Sequence, residues 1–146
     1  MTEARCNPEV PFSTYVSFED IDKITIKGTV LNEASRFNIW LQNGGSSDPD
    51  DVALVFDARF NFGTDYNTIV CNHKIEGNWG LEERNAPFFP FYPDGFFDIK
   101  IKLKDAFYQI KVNGQGVTEF FHKMPMQAVD TLRIDGDVEL DEVKLK

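Results

Sequence analysis

The stretch Phe97-Asp-Ile-Lys-Ile-Lys-Leu-Lys104 alternates apolar and charged residues without a break. Successive side chains of a strand point to opposite faces, so this run is a half-buried strand, oily on one side and polar on the other. The same period of two recurs in Ile24-Thr-Ile-Lys27 and in Phe37-Asn-Ile-Trp-Leu-Gln42. Further strands are predicted over 51–60, 68–72, 106–112, 117–122, 131–134 and 138–145. No segment carries the pattern of a long amphipathic helix; a short helical turn is expected at 126–129, opened by Pro125. Asn43-Gly-Gly-Ser-Ser47, Pro93-Asp-Gly95, Asn113-Gly114 and Asp135-Gly136 punctuate the strands with residues that make tight turns. Short strands at such intervals indicate an all-β fold, an antiparallel sandwich or barrel.

The size of the chain supports one domain. Its 146 residues are 42% hydrophobic, enough to build a core without disulfide staples. Residues 1–11 hold two prolines and mixed polarity and are expected to form a loose N-terminal arm, leaving 12–146 as the domain. Fourteen phenylalanines accompany a formal net charge of −9. An acidic surface repels phosphate backbones and anionic headgroups, which argues against nucleic acid and membrane surfaces as partners and leaves neutral ligands open. Cys6 and Cys71 belong to no Cys-x-x-Cys or Cys/His cluster and read as unpaired thiols, with no metal site and no cofactor implied. Without a leader-like start or a membrane-length apolar run, the expected location is the cytoplasm. No nucleophile and base lie at catalytic spacing, so no enzyme activity is expected; His73 and His122 read as solvent-side residues.

Alternation also assigns faces. In Val52-Ala-Leu-Val-Phe-Asp-Ala-Arg-Phe60, the set Val52, Leu54, Phe56 and Phe60 points to the core and Ala53, Val55, Asp57 and Arg59 to an open face. By the same count Val70 and Asn72 share that outer face on the next strand. On the preceding strand Arg36, Asn38, Trp40 and Gln42 alternate against Phe37, Ile39 and Leu41, which places Trp40 toward the same groove.

Arg59-Phe-Asn61, Thr68-Ile-Val-Cys-Asn72 and Trp79-Gly-Leu-Glu82-Glu-Arg84 resemble the galectins, and the resemblance extends from about Val10 to the C-terminus. It implies a two-sheet jelly-roll sandwich that binds β-galactosides on a concave sheet, without metal and without catalysis. It also implies roles: Asn72 and Glu82 hold an outer hydroxyl of a galactose-like ring, Trp79 stacks on its apolar face, and Arg59, Arg84 and Glu82, with Asp65 as a further member, form a charged network. The chemistry suits a pyranose, which offers C–H bonds on one face and directional hydroxyls at its rim. The partners so implied are glycans or glycoproteins, with a homodimer and leaderless export open as family traits.

One strand departs from the family. Where galectins carry histidine, asparagine and arginine, this chain reads Val55-Phe-Asp57-Ala-Arg59, and only the arginine is kept. Val55 removes a hydrogen-bonding partner of the axial hydroxyl, and Asp57 loses the donor of an asparagine while gaining the ability to pair with Arg59. One missing partner costs about 1 to 3 kcal/mol, so weak lactose binding or an altered glycan preference is expected, and Val55→His with Asp57→Asn is expected to strengthen it. A fold that has lost sugar binding and serves protein interaction is the alternative. Other readings stay open for single residues: Trp79 as a packing aromatic, the Asp57, Arg59, Glu82 and Arg84 group as a surface ion-pair lattice, and Trp40 as either an extension of the site or a plug where the histidine is missing. Asn38 neighbours Trp40 on that face and completes the candidate set.

Overall fold

The structure, a computed structural model, describes residues 2–146. Two six-stranded antiparallel sheets form a sandwich. The first runs β1 (Glu3–Cys6), β12 (Val138–Leu145), β3 (Lys23–Val30), β8 (Phe96–Leu103), β9 (Phe107–Val112) and β10 (Gln115–Phe121). The second runs β2 (Phe12–Tyr15), β11 (Thr131–Gly136), β4 (Arg36–Gln42), β5 (Val52–Phe62), β6 (Asp65–Ile75) and β7 (Asn78–Trp79). The expected helical turn is a single 3-10 turn, Met126–Ala128, preceded by Pro125. Among the described residues no helix is long and apolar enough to cross a membrane.

The alternating strands put their apolar sets between the sheets. Ile24, Ile26, Ile99, Ile101 and Ile110 from the first sheet meet Phe37, Ile39, Leu41, Leu54 and Phe56 from the second, and each is at most 1% exposed. Phe37 of β4 stacks on Phe97 of β8 at 5.5 Å, and Phe91, from the loop after β7, meets Phe37 edge-on at 5.1 Å. Much of the unusual phenylalanine content is this inter-sheet cluster, where offset and edge-to-face pairs add to simple area burial. In the pairs Phe96–Phe97 and Phe120–Phe121, alternation buries one ring and exposes its neighbour.

Three expectations need correction. The arm is not loose over its whole length: Glu3–Cys6 adds to the edge of β12, because an unpaired strand edge is satisfied by any extended backbone that reaches it, whatever its side chains. The face assignment of β5 also fails at its start. A β-bulge lets Leu41 and Gln42 face Leu54 and Val52, skipping Ala53. The extra residue reverses the alternation, so Ala53 joins the core and Val52 lies beside Gln42 and Lys74 on the groove side. The histidines are half-buried rather than fully solvent-side, with the Nδ1 atoms of His73 and His122 both turned away from solvent.

Asn113-Gly114 closes the β9–β10 hairpin with both residues at positive φ, 51° and 82°, the two-residue turn whose twist matches the strands it joins.

Candidate functional site

Strand register sets the groove on the outer face of the second sheet. Reading across the sheet, Arg133, Trp40, Val55 and Asn72 form one row, and Asn38 and Asp57 the row beside it. Arg36 and Arg59 sit opposite each other one row further along, and Lys74 pairs with Trp79 at the other end. The cleft lined by Arg36, Trp40, Val55, Arg59, Trp79 and Glu82 has a volume of about 490 Å³.

Placing Arg36 directly opposite Arg59 is unfavourable by itself, since like charges across a strand pair repel. Asp57 resolves the conflict. Its Oδ1 accepts from Arg36 Nε at 3.0 Å and from Asn38 Nδ2 at 3.4 Å, and its Oδ2 accepts from Arg36 Nη2 at 3.0 Å and Arg59 Nε at 2.8 Å. Four N–H donors match the four lone-pair sites of a carboxylate, so Asp57 has no acceptor capacity left for a ligand. It is also 2% exposed. The sequence placed Asp57 on an open face; the strand does face the groove, but the arginine side chains fold over it. Val55, Asn38 and Asn72 are buried in the same way, at 6%, 8% and 7% exposure.

The network continues outward. Arg59 Nη1 donates to Asp65 Oδ2 at 2.6 Å, Arg84 Nη1 to Asp65 Oδ1 at 2.6 Å, and Arg84 Nη2 to Glu82 Oε1 at 2.8 Å. Arg59 Nη2 reaches Glu82 Oε2 at 3.5 Å. Hydrogen bonds from Arg84 and then Arg59 hold the Asp65 carboxyl at about 2, and Arg84 holds Glu82 below the usual carboxylate range. Burial opposes the charge on Arg59, but the bonds to Asp57 and Asp65 outweigh it and raise its pKa. Arg59, Arg84, Asp65 and Glu82 thus stay ionised with fixed orientations. Charge-assisted bonds of this kind are stronger and more directional than neutral ones.

The indole end is different. Trp79 is 48% exposed and meets Trp40 at 5.8 Å between ring centroids. Trp40 Nε1 donates to Asn38 Oδ1 at 2.8 Å, which fixes the ring over the sheet. Gly80 follows Trp79 closely against His73; a Cβ there would overlap the imidazole. That close approach lets Gly80 O accept from Asn72 Nδ2 at 3.0 Å.

Of the sequence-predicted residues, Trp40, Val55, Asp57, Arg59, Asn72, Trp79 and Glu82 line the groove. Asn38 braces Trp40 and Asp57, and Arg84 backs Glu82 and Asp65. Arg36 and Phe62 line the groove and were missed as site residues, and Lys74 and Arg133 adjoin the indoles from outside it. Arg36 stands 4.1 Å from the Phe62 ring, and Arg133 stands 4.2 Å from the Trp40 ring. Alternation put Arg36 on the right face, but only strand order brings it opposite Arg59. Nothing local marks Arg133, whose strand lies about 90 positions later in the chain than β4.

A family model described as galactoside-binding lectin matches residues 10–145. Galectin-4 of Sus scrofa is 35% identical over 142 residues, which is 95% of this chain and 42% of that protein. Galectin-1 of Mus musculus is 33% identical over 117 residues, 80% of this chain and 83% of that one. This chain therefore spans well under half the length of the galectin-4 relative, but most of the galectin-1 length. Among solved structures, the Caenorhabditis elegans galectin LEC-6 superposes with a TM-score of 0.85 at 26% identity, over 98% of this chain and 95% of that one. A doubly substituted human galectin-16 gives 0.83 at 27% identity, over 97% and 99%.

Proposed function

The chain belongs to the galactoside-binding lectin family, the galectins, and on that premise we propose that it binds glycans in the groove of the second sheet, with altered selectivity and weak affinity for simple lactose. The observation that carries this reading is Trp79, half exposed beside the ionised Arg59–Glu82–Arg84 network. An apolar plate next to fixed donors and acceptors suits a pyranose: C–H bonds stack on the indole while rim hydroxyls meet Glu82, Arg59 and Asn72. The groups act by binding and orienting; no step of bond cleavage is involved.

The selectivity follows from Val55 and Asp57. A valine offers no partner to an axial hydroxyl, and a carboxylate already holding four donors cannot take a fifth. In this reading Asp57 is a brace for Arg36 and Arg59, and the sugar contacts come from Arg59, Asn72, Trp79 and Glu82. The remaining contacts fix where the ring lies better than which epimer it is.

A glycan-array screen followed by calorimetry on wild type and Trp79→Ala tests the proposal. Loss of the stacking plate is expected to weaken glycan binding about tenfold or more, with little change in stability because the ring is half exposed. No glycan bound above background by the folded protein, or equal binding by wild type and Trp79→Ala, would sink the reading.

A further inference from the structure

Resting on the glycan-binding reading, we infer that His73 is a positioning residue for the groove: its neutral imidazole holds the Trp79–Gly80 segment and the Asn72 amide in place, and its protonation weakens glycan binding.

His73 follows Asn72 on β6 and does not itself line the cleft. Three hydrogen bonds tie the two residues to the segment after β7. Asn72 Oδ1 accepts from His73 N at 2.8 Å, Asn72 Nδ2 donates to Gly80 O at 3.0 Å, and Gly80 N donates to His73 O at 2.9 Å. Both polar atoms of the Asn72 amide are thereby oriented, and each keeps one more site, a lone pair or an N–H, for a sugar hydroxyl. The imidazole packs against this ring of bonds so closely that a Cβ on Gly80 would overlap it. Trp79 directly precedes Gly80, so a displacement of the imidazole is passed to the indole and to Asn72 together.

The imidazole fits this place only while neutral. Its Nδ1 is buried and has no hydrogen-bond partner among the described residues. On an unprotonated nitrogen that leaves a lone pair unused; on an imidazolium it leaves a buried, charged N–H donor unpaired, which costs more. The charged groups facing the ring are Lys123, after β10, and Glu83, whose backbone bridges Cys71, and the two pair with each other at 2.8 Å. Burial first and then Lys123 push the His73 pKa below its ordinary value, with Glu83 opposing. A charged ring gains a partner only by leaving Gly80 for water or for Glu83, and either movement loosens the bonds that orient Asn72 and Trp79. The glycan-competent arrangement is therefore complete above the ordinary histidine value of 6.5 and is lost as pH falls through the lower folded value. Asp65 and Glu82 keep their charges over that range, being held below it by their arginines.

Calorimetry with lactose and N-acetyllactosamine at pH 7.5 and 5.0, paired with nuclear magnetic resonance, tests the inference. Wild-type affinity is expected to fall about threefold or more between the two pH values. In the free protein the Trp79 indole and Asn72 side-chain amide signals are expected to shift with the His73 midpoint. Saturation with sugar is expected to move that midpoint about one pH unit lower, the reciprocal of a protonated form that binds about tenfold more weakly. His73→Gln, which does not titrate here, is expected to lose the pH dependence, while His122→Gln, at the other histidine of the chain, keeps it. Equal wild-type affinity at both pH values, or an equal fall in folded His73→Gln, overturns the inference and leaves the glycan reading standing. Indole and amide signals that ignore the His73 midpoint also overturn it, as does a midpoint unmoved by sugar, a measurement on wild type that decides even if His73→Gln does not fold. Binding of neither sugar at pH 7.5 overturns both readings.

Discussion

At the Arg36–Arg59 end of the groove the counter-ions are buried, Asp57 at 3% and Asp65 at 16% side-chain exposure; at the Trp40–Trp79 end they are at the rim, Asp135 at 46% and Asp48 at 90%. Both ends hold cations over aromatic rings, Arg36 over Phe62 and Arg133 over Trp40. The difference lies in whether the negative partner can leave. A buried carboxylate surrounded by four donors holds its arginines in place, whereas a solvated one in a single ion pair contributes little. One end is braced by buried counter-ions and the other carries solvated ones.

Removing each kind of counter-ion gives the largest contrast. Asp57→Ala leaves Arg36 and Arg59 facing each other without the shared carboxylate and is expected to lower stability by about 3 kcal/mol, while Asp48→Ala changes it by less than about 1 kcal/mol. Equal shifts in chemical denaturation midpoints would erase the distinction between the two ends. A smaller effect is expected where they meet. Val55→His restores a hydrogen-bonding side chain in the row between Trp40 and Asn72 and is expected to strengthen lactose binding about tenfold by calorimetry. Adding Asp57→Asn, attractive from the sequence, is expected to destabilise the fold, because a neutral amide cannot compensate both arginines. Unchanged lactose affinity in folded Val55→His would show that this strand does not limit binding.

The smallest effect concerns pH. Asp65 sits at about 2 when folded against 3.8 for a free carboxylate. A depressed folded pKa contributes stability that is complete above about pH 4 and is lost as pH falls toward 2. Asp65 is therefore expected to hold its charge, and its bonds to Arg84 and Arg59, from pH 7 to 5. Nuclear magnetic resonance titration of the Asp65 carboxyl carbon checks this; a midpoint near 4 would mean that Arg84 and Arg59 do not hold it as the structure places them.

The elements carrying the site were legible to different degrees. The Phe97–Lys104 and Phe37–Gln42 runs announced their strands because each turns an apolar and a polar face. The edge strands β1, β2 and β7 did not stand out, being at most four residues long and held by edge backbone bonds that leave no side-chain pattern. Trp79 and Glu82 were readable as a local motif on one short segment. The bulge at Ala53 was not, since one extra residue among five apolar ones leaves the hydrophobic string unchanged.

The sequence by itself determined an all-β antiparallel fold and the shared face of Trp40, Val55 and Asn72, because periodicity is a property of neighbouring positions, while the two-sheet form and the altered position Val55 were read from the family resemblance. Only the tertiary structure decided that Asp57 is saturated, that Arg36 shares it with Arg59, and that Arg133 and Lys74 flank the indoles. Those facts depend on which strands lie side by side and in what register, and β4, β5 and β11 are brought together by inter-strand bonds that span up to about 100 positions of chain.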